Sequence, residues 1–174
     1  CNADENSPIC ALGWVAQAKT YLLQTQLEKA DAILKQTLEL GQKTQSQLIQ
    51  ALAYKELGIL LHIQNNTNEA LEAFQNSLDF FDIVSPRRRQ AYLNDKAEAL
   101  WAMGRVCISR HELKQSESYL LQAIEIQEQT GDQYGLGRSY KALGNMFQHD
   151  GNFEDARKNL EFALGIFEKA GRRQ

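Results

Sequence analysis

Proline is scarce in this chain, where Pro8 and Pro86 are the only two among 174 residues. Because proline interrupts helices, its scarcity favours a chain that is almost entirely helical. No apolar run of the sequence approaches the roughly 18–20 residues that a membrane-spanning helix needs. No secretory signal is recognisable at the N-terminus. We therefore expect a cytoplasmic, helical chain without a membrane span.

Cysteine and excess charge are also scarce. Cys1, Cys10 and Cys107 form neither a disulfide framework nor a metal-binding spacing, because their number is odd and they lie far apart. The net charge of −3 and the pI near 5.7 argue against a dedicated nucleic-acid binder, which usually carries a basic excess. The hydrophobic fraction of 43% is large enough for a core, so disorder is not expected.

Catalytic motifs are missing as well. His62, His111 and His149 lie on different predicted hairpins, and none has a metal-ligand partner four residues on. Cys107 falls at a position that faces a neighbouring helix, so a buried thiol is expected there rather than a nucleophile. We predict that the chain is not an enzyme and binds no cofactor and no metal.

An internal repeat is the most informative feature that is present. Gly58, Gly104 and Gly144 each end a short apolar motif, 46 and then 40 residues apart. A small residue follows each glycine after twelve positions, and a large apolar residue comes four positions later; these are Ala70 and Phe74, Ser116 and Leu120, and Ala156 and Leu160. Such repetition predicts a stack of helical hairpins that presents a surface.

Four repeats are predicted, at about residues 10–43, 44–83, 86–131 and 132–171, in a single domain over 1–174 with a tail at 1–9. The first repeat is degenerate, with Ala18 at the glycine position. Helical periodicity predicts two helices in each repeat: 10–23 and 27–40, 46–63 and 67–81, 93–109 and 113–129, and 136–147 and 153–171. Gly41, Gly131 and Gly171 are expected to close helices as C-caps.

Two further expectations concern packing. The recurring glycine costs about 1 kcal/mol inside a helix, so we expect it to allow two helices to approach closely, with the large residue of the next helix against it. The segment between the second and third repeats begins with Ser85 and Pro86, which resemble an N-cap and a first helical residue. The third repeat is therefore expected to begin with a long helix, and a surface loop is the alternative.

The pattern resembles the tetratricopeptide repeat, whose first helix carries an aromatic–Leu–Gly–aromatic motif and whose second helix carries small and aromatic residues. The fourth repeat matches best, with Tyr140, Leu143, Gly144, Phe147 and Ala156. The period of 40 is similar to that of a longer-period subclass found in G-protein-signalling modulators, kinesin light chains and bacterial regulators. The resemblance implies an all-α, right-handed α-solenoid of antiparallel helix hairpins that binds other proteins without catalysis.

The resemblance also implies that the first helix of each repeat lines a concave groove. The partner-binding residues expected there are Lys55, Ile59, His62, Trp101, Arg105, Ile108, Arg138, Lys141, Asn145 and Gln148. Within each repeat they follow a spacing of three or four residues, so they share one helical face. The basic and amide-bearing C-terminal half suits a protein or peptide partner, such as an amphipathic segment with acidic residues.

Two alternatives remain open at the level of sequence. The chain could be the peptide-binding sensory domain of a larger bacterial regulator, in which a ligand shifts the angle between repeats. It could also be a self-association module that forms a homodimer through the apolar N-terminal part of the groove, which contains Leu12, Val15, Leu22 and Leu52.

Overall fold

The computed structural model describes residues 7–84 and 90–171, and over these residues the chain is all-α. The helices are α1 (Pro8–Leu23), α2 (Leu27–Lys43), α3 (Gln47–Ile63), α4 (Thr67–Ile83), α5 (Leu93–Ser109), α6 (Leu113–Thr130), α7 (Gln133–His149) and α8 (Phe153–Gly171). A single 3₁₀ turn, Gln90–Tyr92, precedes α5. The fold class predicted from the sequence, an α-solenoid of helix hairpins, is confirmed.

Two compact units divide the chain, Cys1–Gln90 (unit 1) and Ala91–Gln174 (unit 2). In unit 1, α1 pairs with α2 and α3 pairs with α4, while α3 also packs on α1 and α2. Unit 2 repeats this order, because α5 pairs with α6, α7 pairs with α8, and α7 packs on α5 and α6. Each unit therefore holds two hairpins, and the prediction of one domain over the whole chain stays a prediction.

The helix bounds differ from the predicted ones at a few ends. The N-terminal tail is shorter than predicted, because α1 begins at Pro8 and its N-cap Ser7 accepts a hydrogen bond from the Ile9 N–H at 3.3 Å. Gly41 does not close α2, which continues to Lys43. The physical reason is that Gly41 is buried, and a Cβ there would lie 2.9 Å from Gln50.

The expected long first helix of the third repeat is wrong where it can be judged. The chain forms a 3₁₀ turn over Gln90–Tyr92, and α5 begins only at Leu93. The proposed helix start at Ser85 and Pro86 lies outside the described residues. Unit 2 otherwise follows the prediction closely, since Gly131 closes α6 in the left-handed conformation with a φ of 74°.

The recurring glycines lie where two helices of a hairpin touch, as predicted. A Cβ at Gly58 would lie 2.6 Å from the Phe74 ring, and one at Gly104 would lie 2.7 Å from Leu120. At Gly144 the corresponding distance, to Leu160, is 2.8 Å. These distances are shorter than any real carbon–carbon contact, so the close approach of the helices requires glycine.

Hydrogen bonds reinforce two of these helix pairs. The Ser116 hydroxyl on α6 donates to the Gly104 carbonyl on α5 at 2.9 Å, and the Ser77 hydroxyl on α4 donates to the Ala51 carbonyl on α3 at 2.7 Å. A small residue at position 116 was expected for its size alone. Because the serine oxygen also satisfies a buried polar group, it adds a directional bond that periodicity did not predict.

Apolar clusters fill each unit separately. In unit 1, Ala18, Leu22, Ala30, Leu34 and Leu60 form one buried cluster. In unit 2, the buried cluster joins α6 to α7 and consists of Leu120, Ile124, Leu136, Ala142, Leu143 and Met146. Over the described residues, no helix combines the length and the apolar character that crossing a membrane would require.

Candidate functional site

The predicted groove residues of unit 1 lie mostly inside the structure. Lys55 is only 2% exposed, and its ammonium lies 3.1 Å from the Glu56 carboxylate, which is also buried. Ile59 is half-buried against the apolar cluster of α1–α3, and His62 is half-buried. The expectation that Lys55 faces a partner therefore has no support, because an adjacent carboxylate holds its charge inside the protein.

The apolar N-terminal part of the predicted groove is largely buried too. Val15, Leu22 and Leu52 are buried, while Leu12 remains partly exposed. Little apolar surface is thus left at these positions for the predicted homodimer. That homodimer stays a prediction that these residues do not favour.

In unit 2, the packing of α7 against α5 brings three of the predicted residues together around one indole ring. The guanidinium carbon of Arg138 lies 3.6 Å from the centre of the Trp101 ring, and that of Arg105 lies 4.9 Å from the same centre. Guanidinium groups stack favourably on aromatic faces, and tryptophan gives the strongest such contact. We call Trp101, Arg105 and Arg138 the Trp–Arg cluster.

The two arginines of the Trp–Arg cluster differ in their partners. Arg138 is also paired with Glu98, with 3.8 Å between the guanidinium nitrogen and the carboxylate oxygen. It lies 5.8 Å from the centre of the Tyr134 ring as well. Arg105, by contrast, is exposed and makes no ion pair with any residue that the structure describes. Arg105 is therefore the cation of the cluster that is accessible to an incoming anion.

The surroundings of Arg105 in the Trp–Arg cluster change its pKa. Partial removal from water, and then the nearby positive charge of Arg138, lower the pKa of Arg105 from its ordinary value. Arginine nevertheless stays protonated at physiological pH. Desolvation is the larger cause of this lowered pKa and the repulsion by Arg138 is the smaller one; a negative group placed beside the two cations would relieve that repulsion.

The remaining predicted residues of unit 2 surround this cluster only in part. Ile108 is half-buried and packs against the apolar cluster of α6 and α7. Lys141 and Asn145 are exposed on α7, and they follow Arg138 at three- and four-residue steps. Gln148 lies at the end of α7, where it lines a groove beside α8. The structure thus brings Trp101, Arg105 and Arg138 into contact, and it leaves Lys141 and Asn145 as exposed neighbours on α7.

The contacts of Glu98 and Tyr134 with Arg138 were not predicted from the sequence. Glu98 and Arg138 occupy the same repeat position on successive first helices, since Gly144 minus Gly104 is 40 and so is Arg138 minus Glu98. Opposite charges at one repeat position were the available signal for this pair. For Tyr134 the available signal was its position four residues before Arg138 on α7, whereas its contact with Phe167 on α8 depends on how the helices pack.

Other reactive groups do not form a second site among the described residues. Cys10 and Cys107 are buried thiols. Burial first, and then the charge of Glu112, raise the pKa of Cys107 to about 11, so the thiol remains protonated and unreactive at neutral pH. His111 and His149 meet edge to face at 6.0 Å. No group of three or more potential metal ligands occurs in the part of the chain that is described.

Hairpins that recur along the chain, three of them with a glycine contact between their two helices at Gly58, Gly104 and Gly144, define an α-helical repeat protein. Residues 95–169 match the family model described as the tetratricopeptide repeat. Over this stretch the chain matches the tetratricopeptide repeat, as the resemblance of its sequence indicated. This repeat is in general a non-catalytic fold for protein–protein interaction.

Several solved structures share this fold. The chain is 22% identical to MamA over 98% of its own length and 84% of that chain, with a TM-score of 0.67. It is 15% identical to BtubC from P. vanneervenii, covering 91% of this chain and 63% of that chain, with a TM-score of 0.75. A Pyrococcus horikoshii signal-transduction ATPase with a tetratricopeptide-repeat sensor shares 21% identity over 98% of this chain and 26% of that chain, with a TM-score of 0.77.

These identities show a common fold and nothing finer. The chain spans less than two thirds of the length of BtubC and about a quarter of the length of the ATPase. A search of curated proteins found no match.

Proposed function

We propose that unit 2 binds a protein segment through the Trp–Arg cluster, and that the segment carries an acidic side chain. The observation that carries this proposal is the convergence of two guanidinium groups on one indole, at 3.6 and 4.9 Å, with only one of them paired to a carboxylate. A carboxylate of the partner would complete the arrangement, because arginine binds carboxylates through charge-assisted and often bidentate hydrogen bonds.

The surroundings of the cluster supply the rest of a recognition surface. Trp101 is half-buried, so part of the indole stays exposed next to the two guanidinium groups. Tryptophan and arginine are the residue types that most often dominate interface energy. Lys141 and Asn145 extend the exposed polar face of α7 beyond Arg138. The cluster therefore suits an acidic residue next to an apolar one, as on one face of an amphipathic helix.

Fluorescence of the cluster gives a direct test. The chain has two tryptophans, so a Trp14→Phe variant reports Trp101 alone. It would be titrated with an amphipathic helical peptide that carries glutamates, and separately with the same peptide in which glutamine replaces each glutamate. We expect the emission of Trp101 to change with the glutamate peptide only. An equal response to both peptides would show that charge is not recognised here.

Charge reversal at the accessible arginine gives the matching mutational test. In the Trp14→Phe background, Arg105→Glu should weaken binding of the glutamate peptide by about tenfold or more, which corresponds to about 1.4 kcal/mol. Lys114→Glu is the control, because Lys114 is exposed on α6 and its reversal changes the net charge equally. Equal losses in the two variants would reduce the effect to net charge and contradict a site at Arg105.

The sensory domain of a larger regulator is the second candidate function. It is supported by the fold that the chain shares with a signal-transduction ATPase that has a tetratricopeptide-repeat sensor. Binding of the same segment would then be the input signal. The gene that encodes this sequence should in that case also encode an output domain, and a gene without one would rule out this candidate.

A further inference from the structure

The outward face of α8 is an apolar groove that no described residue covers. The groove has a volume of about 350 Å³, and Phe153, Leu160 and Leu164 line it together with Arg157 and Glu161. Phe153 is 69% exposed and Leu164 is 58% exposed. Large side chains that are grouped and exposed in this way mark a surface that binds another molecule.

The repeat itself shows what such a face accepts. The residues of α6 that lie 40 positions before Phe153, Leu160 and Leu164 are Leu113, Leu120 and Ile124. These three pack with the core residues of α7, and Ile124 is only 6% exposed. The face of α8 therefore corresponds to the surface of α6 on which the first helix of the next hairpin packs.

Helix α1 presents the complementary surface. Its register with α7 follows from Ala18 and Gly144, which are 126 residues apart. Four buried positions of α7 have exposed counterparts on α1: Gly135 corresponds to Ile9, Ser139 to Gly13, Ala142 to Ala16 and Met146 to Thr20. On α7, Gly135 lies close to Gln127 of α6, and Ala142 and Met146 belong to the buried cluster that α6 and α7 share. On α1, by contrast, the residue at the first of these positions, Ile9, is 75% exposed.

The chemistry of this α1 face suits the groove on α8. Gly13 and Ala16 are small, so the side chains of Leu160 and Leu164 could approach the backbone of α1 closely, as Phe74 approaches α3 at Gly58. The only charged residue of α1 is Lys19, which corresponds to the exposed Asn145 on a different face of α7. Docking of α1 would therefore bury apolar surface without burying a charge of its own.

We propose that the face of α8 on one copy of this chain binds the face of α1 on a second copy, in the way that α6 binds α7 within unit 2. Both halves of the interface are present in one sequence and in one repeat register, which is why a second copy is the occupant that fits. The interface is heterologous, since it joins two different surfaces, so a pair of copies retains one unoccupied α1 face and one unoccupied α8 face. Such contacts build head-to-tail oligomers rather than a closed two-fold dimer.

Sedimentation of the 174-residue chain without any partner tests this proposal. We expect the mass of the wild-type protein to rise beyond that of a dimer as its concentration is raised from micromolar to millimolar. Leu164→Glu blocks the α8 face and Ala16→Glu blocks the α1 face, both at exposed residues. Each variant alone should remain a monomer of 19.8 kDa. An equimolar mixture of the two should form a 1:1 dimer, because one intact face of each kind remains.

Leu121→Glu is the matched control, since Leu121 is an exposed leucine of α6 outside the α8 groove. This variant should associate as the wild type does, and circular dichroism should show equal helicity for all variants. A wild-type chain that stays monomeric at millimolar concentration would overturn the proposal. Dimers formed by either blocked variant alone would also overturn it, because they would require another interface. The Trp–Arg cluster is untouched in these variants, so the result is independent of peptide binding.

Discussion

The two units differ in where they place a positive charge at or beside equivalent repeat positions: unit 1 buries it and unit 2 leaves it exposed. Lys55 in unit 1 and Trp101 in unit 2 occupy the same repeat position, 46 residues apart and three before the packing glycine. Unit 1 buries its cation there, 3.1 Å from the Glu56 carboxylate. Unit 2 places an indole there and keeps the cation of Arg105 exposed beside it. The comparison teaches that a repeat determines the position of a side chain on its helix, whereas the neighbouring residues decide whether that side chain is buried in an ion pair or exposed.

The largest expected effect on the free energy of unfolding distinguishes the Lys55–Glu56 ion pair from the Arg138–Glu98 ion pair. Glu56→Gln leaves the buried ammonium of Lys55 without its adjacent carboxylate, so the free energy of unfolding should fall by about 3 kcal/mol. Glu98→Gln removes the carboxylate from the half-buried and longer pair with Arg138, and it should cost less than about 1 kcal/mol. Urea unfolding followed by circular dichroism measures both. Losses of equal size would contradict the distinction between a stabilising pair in unit 1 and an accessible one in unit 2.

The packing glycines should instead behave alike in the two units. Gly58→Ala and Gly104→Ala each force a methyl group into a side chain less than 3 Å away, at 2.6 and 2.7 Å. Each should lower the free energy of unfolding by about 2 kcal/mol. Gly165→Ala is the control, because Gly165 lies inside α8 with nothing within 4 Å of a Cβ.

The control substitution Gly165→Ala should instead raise the free energy of unfolding by about 0.5–1 kcal/mol, through helix propensity alone. Thermal unfolding of the three variants would measure this contrast. Destabilisation by Gly165→Ala as large as that by Gly58→Ala would mean that the helix contact is not the reason for the recurring glycine.

The smallest expected effect concerns the turns. Thr25 in unit 1 has a φ of 56°, whereas Gly131 and Gly151 in unit 2 have φ values of 74° and 78°. A β-branched residue is strained in this left-handed conformation and glycine is not. Thr25→Gly should therefore raise the free energy of unfolding by up to about 1 kcal/mol, and Gly151→Ala should lower it by a similar amount. Chemical denaturation would detect both signs, and destabilisation by Thr25→Gly would contradict the strain argument.

Much of the fold could be predicted because its signals are local. The spacing of apolar residues predicted the segment Leu93–Ser109 as a helix, although the Ser85–Pro86 pair led us to expect an earlier start, and the turn residues predicted where most hairpins close. The misjudged helix end at Gly41 has a tertiary cause. A glycine that follows an apolar pattern resembles a C-cap, but here it allows close contact with Gln50 and Ile49 on the next helix.

The sequence predicted which residues of the candidate site share a helix face, but it did not predict their contacts with one another. Helical spacing alone places Trp101 and Arg105 on one side of α5, because they are four residues apart. Spacing cannot tell that Arg138 stacks on Trp101 at 3.6 Å while it also pairs with Glu98. Those contacts join α5 to α7, so they depend on the distance and rotation between two helices.

The sequence by itself determined that the described residues form helix hairpins and which glycines lie between their helices. Those properties follow from the 3.6-residue period of the helix and from a spacing of about 40 residues that repeats along the chain. Only the tertiary structure decided that Lys55 is buried beside Glu56 and that Arg105 stays accessible beside Trp101. Burial and ion pairing depend on which atoms of other helices come within a few ångströms, and a one-dimensional period does not contain that information.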